Sequence, residues 1–101
     1  MNLSLDEALG LFDTWRLLKA PISLDVNRGT SSWDGVVIAT SPGSGSVTLS
    51  LAAEGQRRIL PLNSARLSES HGQGSFSILA QYPNGDRLLF SSPVAFGTFA
   101  D

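Results

Sequence analysis

The sequence predicts a mainly β domain: one N-terminal α-helix followed by a small, partly open antiparallel β-barrel, with an extra C-terminal β-hairpin. Three observations predict it. A capped, amphipathic helical stripe runs to residue 19 and stops before Pro21. Hydrophobicity then changes to a period of two through several short runs. A Pro-Asn-Gly turn near the end joins two further alternating runs. With 101 residues the chain suits a single domain spanning 1–101. A chain of this length buries roughly 65% of its unfolded surface, enough for one modest core.

The helix is expected over 4–19. Ser4 and Glu7 make the S-x-x-E capping box, in which each side chain accepts from a backbone N–H at the other's position. Leu5, Ala8, Leu9, Phe12 and Trp15 recur at three- and four-residue spacing and form one apolar stripe, widened by Leu11 and Leu18. Lys19 suits the negative end of the helix dipole, and Pro21 disfavours helix at Ala20. The Phe12/Trp15 stripe reads as packing onto the rest of the domain.

Five strands are expected over 21–70. In "PISLDVN", Ile22, Leu24 and Val26 face one way and Ser23, Asp25 and Asn27 the other. "RGTSS" turns the chain into "WDGVVIAT", where Gly35 inside a strand marks a bend or a close backbone approach. "SVTLSLAA" alternates again, with Val47, Leu49 and Leu51 inward. "EGQ" returns the chain into "RRILPL", which sets Arg58, Leu60 and Leu62 against Arg57, Ile59 and Pro61. "NSA" is short enough for one 3₁₀ turn before "RLSES".

The hairpin covers 75–92. In "SFSILAQYPNGDRLLFSS", proline fixes φ near −65°, which suits the first central position of a type I turn. Gly85 then takes the left-handed position of a G1 bulge. With Tyr82 opposite Asp86, the predicted pairs are Ala80:Leu88, Leu79:Leu89 and Ile78:Phe90. Phe76, Ile78, Ala80, Tyr82, Leu88 and Phe90 share one face. The other carries Ser77, Gln81, Arg87 and Ser91 around the apolar Leu79:Leu89 pair, a candidate interaction surface. Phe96 and Phe99 in the tail are expected to dock rather than hang free.

Composition narrows the function. The formal charge of −2 argues against a general phosphate-backbone binder, which carries a marked basic excess. Charged residues make up 16% of the chain, and fifteen serines take part of their polar role. A hydroxyl-covered surface repels copies of itself weakly, which favours a homo-oligomer. There is no cysteine, so disulfides and thiolate metal sites are excluded. No apolar run approaches the ~20 residues that cross a bilayer as a helix, and Asp6 and Glu7 stand where a secretory signal would be basic and then apolar. A cytoplasmic location is therefore expected, with no membrane partner.

The candidate sites are few. "SPGSGS" looks like a phosphate loop, but phosphate loops lead into a helix whose free N–H groups meet the anion. Here "VTLSL" follows, a strand by its alternation. No lysine comes after it, Ser44 sits in G-S-G rather than G-x-S-x-G, and the loop reads as a connector. His71, the single histidine, has Glu69 and Ser70 beside it in sequence. Neighbours on one strand do not converge as a catalytic triad does, so it reads as a loop histidine. One histidine and scattered carboxylates make no metal site, and no cofactor is expected. Arg28, Arg57, Arg58 and Arg66 are the candidate contacts for an anion or nucleic acid, although Arg57 and Arg58 must point to opposite faces of one strand.

A helix followed by five short strands, with a tiny turn before the fifth, resembles the Sm-like small barrel. "PISLDVNRG", "SSWDGVVIATS", "SVTLSLAAEG", "QRRILPL" and "RLSES" stand for its five strands. The resemblance implies rings formed by strand pairing between subunits, and uridine-rich RNA as a ligand. "KAPISLDV" followed by "GVVIATSPGSGSVTLSL" also resembles a degenerate PilZ barrel, a family that binds cyclic di-GMP. Arg16 and Lys19 stand for that family's arginine pair and Ser41 for its loop serine. Ala39 and Ser44 occupy its acid-or-amide and glycine positions.

These readings converge on a non-enzymatic, self-associating interaction module. The alternative is an RNA or nucleotide binder. An enzyme built on His71 comes third.

Overall fold

The computed structural model describes residues 2–51, 56–72 and 75–93. Its elements run β1 (Asn2–Leu3), α1 (Leu5–Leu18), β2 (Ile22–Val26), β3 (Ser31–Ser41), β4 (Ser46–Leu51), β5 (Arg57–Pro61), β6 (Arg66–Gly72), β7 (Ser75–Gln81) and β8 (Arg87–Ser92). All eight strands join one antiparallel sheet in the order β1-β6-β7-β8-β2-β3-β4-β5. The protein is thus mainly β, and the sheet is not closed: β1 and β5 are its two edges. The Phe96 and Phe99 positions lie outside the described residues.

The helix is set by its ends. Ser4 Oγ accepts from the Glu7 N–H at 3.1 Å, and Glu7 Oε1 accepts from the Ser4 N–H at 2.8 Å, completing the capping box. Lys19 ends the helix in the left-handed region at φ 54° and donates its N–H to the last-turn carbonyls of Arg16 and Trp15. Ala8, Leu9, Phe12 and Trp15 are buried. Leu11 is half-buried and Leu18 exposed, so the stripe narrows towards the C-terminal end. Phe12 meets Phe90 edge-on at 4.8 Å between centroids and Trp15 at 5.9 Å, which seats the helix over the concave face.

Two meanders make the sheet. One is β2–β3–β4–β5 and the other β6–β7–β8, zipped together where β8 pairs with β2 (Leu24 opposite Phe90, Val26 opposite Leu88). The strands of 21–70 therefore do not stand as a sheet of their own. β7 and β8 separate β6 from β2, and the C-terminal hairpin lies inside the sheet rather than appended to it. The short β1, which propensity does not signal, adds onto β6 at Leu67 and Ser68.

Chain connectivity forces this sheet to curl. In a flat sheet the six inter-strand steps from β6 to β5 would span about 29 Å. Only residues 62–65 link the two strands, a reach of about 17 Å at full extension. The Ala65 N–H donates to the Leu62 carbonyl (3.1 Å), tightening that link. Curling brings the inward side chains together: Ile22, Leu24, Val37, Val47, Leu49, Leu51, Leu62, Ile78, Ala80 and Phe90 form one core with the helix.

Two glycines meet local steric demands in the sheet. At Gly35 a Cβ would run into the backbone carbonyl oxygen of Ser50, so β3 and β4 approach closely only because that position is bare. Gly85 takes φ 96° and donates its N–H to the Tyr82 carbonyl at 3.0 Å, the type I turn with a left-handed glycine. The hairpin register follows, with Ile78 opposite Phe90, Leu79 opposite Leu89 and Ala80 opposite Leu88. The "SPGSGS" loop only turns the chain between β3 and β4: Ser44 and Gly45 both donate to the Ser41 carbonyl.

Candidate functional site

The outer face of the sheet holds a cleft of about 260 Å³ lined by Asp25, Arg28, Gly29, Leu79, Arg87 and Leu89. Strand alternation explains the floor. Leu24, Leu88, Phe90, Ile78 and Ala80 point inward, so Asp25, Arg87, Leu89 and Leu79 point out. Register then places Leu79, Leu89 and Asp25 side by side across β7, β8 and β2.

The turn from β2 to β3 places Arg28. Asn27, Arg28 and Gly29 all have positive φ, at 51°, 62° and 90°. Asparagine and glycine tolerate that region; arginine does so only at a steric cost. Hydrogen bonds across the β2–β8 seam hold the turn. The Asn27 N–H donates to the Arg87 carbonyl at 2.8 Å. The Arg87 N–H donates to Asn27 Oδ1 at 2.8 Å, and Asn27 Nδ2 donates to Asp86 Oδ1 at 3.3 Å. Thr30 Oγ1 donates back to the Asn27 carbonyl at 2.9 Å. This seam brings two guanidinium-bearing residues to one cleft. Arg87 Nε is buried with no hydrogen-bond partner.

The other predicted arginines lie elsewhere. Arg58 extends over the Trp33 ring, 5.0 Å from its centroid, a cation–π contact at the rim of the concave face. Arg57 points to the opposite side of β5, in register with Ser50. Arg66 borders a separate shallow depression with Ser64, Ala65, Gln81, Tyr82 and Pro83. The four sequence candidates are therefore not gathered in one concavity. Leu79 and Leu89, expected as a contact surface, form the floor of the cleft beside Arg28.

Arg87 was readable in the sequence as an arginine at a turn, like Arg28, and as one residue of the hairpin's polar face. Its meeting with Arg28 depends on a strand pairing between segments about 60 residues apart, for which the sequence carries no local signal.

At an edge of the sheet, β5 pairs only with β4 among the described residues. Leu51 N–H donates to the Gln56 carbonyl and Leu62 N–H to the Gly45 carbonyl, both at 2.7 Å. The ladder alternation between these bonds turns the backbone groups of Arg57 and Ile59 away from β4, towards the open edge. Ile59 is 69% exposed. Tyr82 closes the other end of this edge, its hydroxyl donating to the Pro61 carbonyl at 2.6 Å. Burial, and secondarily the Asp86 carboxylate, push the Tyr82 phenol above its ordinary pKa.

His71 lies in β6 opposite Phe76; its side chain is outside the described residues. Among the described residues no group of three or more histidine, aspartate or glutamate side chains is placed to hold a metal. No helix among them is long and apolar enough to cross a membrane. No protein-family model, curated protein or solved structure matches this chain.

Proposed function

We propose that the curled sheet and its helix are a partly open small barrel of Sm-like type that works as a non-enzymatic, self-associating interaction module. The observation that carries this reading is the β5 edge, where Arg57 and Ile59 direct outward backbone groups that no strand among the described residues pairs, beside an isoleucine 69% exposed. An unpaired edge of this kind is a template for another strand. The low formal charge of −2 leaves little repulsion between copies. Light scattering over a concentration series tests it. The wild-type protein associates, and Ile59→Lys shifts it towards monomer by placing a charge on the edge. A wild-type chain that stays monomeric at millimolar concentration refutes the reading.

A second reading, binding of an anionic ligand, is favoured by Arg28 and Arg87 sharing one cleft. Anisotropy with labelled oligo-uridine RNA and cyclic di-GMP tests its nucleotide form, with salt-sensitive binding the expected outcome.

A further inference from the structure

We propose that the outer cleft binds a small oxyanion carried on an aliphatic stem, a short-chain carboxylate being the simplest example. The proposal rests on the anion-binding reading and narrows it to a ligand class.

Charge comes first. Two guanidinium groups and one carboxylate line the cleft, so it is locally positive on a chain of formal charge −2. Among the described residues neither arginine lies within ion-pair distance of a carboxylate. A planar, delocalised guanidinium suits the two oxygens of a carboxylate or phosphate.

Arg28 is the second point. It occupies a left-handed position, φ 62°, where glycine would be easier. Backbone strain of this kind persists where the surroundings hold it and is concentrated at ligand sites. Here Asn27 supplies the hold, through its bonds to Arg87 and Asp86. Arg87 adds a third point, since its buried Nε meets no acceptor and its side chain is already partly withdrawn from water. Withdrawal from water strengthens the attraction of its charge for an anion.

Orientation follows from the register. Leu79, Leu89 and Asp25 lie in that order across the strands, while Arg87 and Arg28 stand at the turn end. The Asp25 carboxylate repels an oxyanion from its own end. The oxyanion therefore sits at the arginines and the stem runs over Leu89 towards Leu79. Floor and charge together select a ligand with both features.

Titration of the ¹⁵N-labelled protein with hexanoate, inorganic phosphate and hexylamine tests this, read by NMR at the amides of Leu79, Arg87 and Leu89 and at the arginine Nε–H signals. Hexanoate is expected to give saturable shifts confined to the cleft, phosphate weaker shifts at the arginine end, and hexylamine none. Arg28→Gln, an exposed turn substitution, should weaken hexanoate about tenfold or more, the usual effect of losing a charge-assisted hydrogen bond. Leu79→Ala should weaken hexanoate but not phosphate. Arg28→Gly should lose binding while raising the unfolding midpoint, which separates a site defect from a folding defect. No saturable shift with either anion overturns this proposal together with the anion-binding reading. Phosphate bound as tightly as hexanoate overturns the stem alone and leaves anion binding standing. Undiminished hexanoate binding in Arg28→Gln removes the site from this cleft.

Discussion

Tyr82 joins parts of the sheet that no strand pairing joins. Its hydroxyl reaches the Pro61 carbonyl of edge strand β5 from the turn between β7 and β8. Removing it in Tyr82→Phe is expected to cost about 1 kcal/mol at neutral pH in urea unfolding, the net worth of one such bond. The same residue sets a pH dependence. Its folded pKa lies above the ordinary value of 10.0, so the neutral phenol stabilises the fold fully below that pH. The contribution is lost as pH rises through the folded value. Wild type should therefore lose stability in that alkaline range, and Tyr82→Phe should lose less. An equal alkaline decline in both would show that the phenol is not its source. At this scale much was legible. The bare position at Gly35, the left-handed Gly85 and the opposed faces of Arg57 and Arg58 all follow from stereochemistry within a few residues. The Tyr82–Pro61 bond and the Arg28–Arg87 cleft were not legible, because each joins residues brought together only by long-range pairing.

At the scale of the element, the helix is the part most dictated locally. Ser4 and Glu7 satisfy each other's backbone groups, and Ser4→Ala should destabilise the protein by about 1 kcal/mol, measurable as a lower urea midpoint with an unchanged slope. An unshifted midpoint would mean that packing of Phe12 and Trp15 alone holds the first turn. The Arg16–Asp13 pair on the helix surface is short, 2.6 Å, and the hydrogen bond from Arg16 lowers the Asp13 pKa, with burial opposing. Exposed pairs of this kind contribute little to stability. The edge strand β5 shows the opposite balance. Its alternation predicted which residues face inward, and Leu62 is buried while Ile59 is exposed. Its position at a sheet edge has no local signature, since any alternating run reads alike whether it has one neighbour or two.

For the whole molecule, the decisive contact is β8 on β2. It merges two meanders into one sheet and buries Phe90 against Phe12. A chain truncated after Gly72 loses that seam and exposes Leu24, Ile22 and the helix stripe. It is expected to lose the dispersed NMR spectrum and cooperative unfolding of the full chain. A well-folded 1–72 fragment would show that residues 21–70 are self-sufficient after all. The full chain should unfold in one transition, because no group of strands closes a core without the rest. The amino-acid order by itself determined the helix and its caps, the period-two strands, the inward and outward faces and the Pro-Asn-Gly hairpin, since these depend on contacts a few residues apart. Tertiary structure alone decided that the hairpin enters the sheet between β6 and β2, that Arg28 meets Arg87, and that β5 is left at an edge. Those outcomes depend on which distant strands pair, and alternating faces are compatible with many pairings; the short link from β5 to β6 and the shared core select among them.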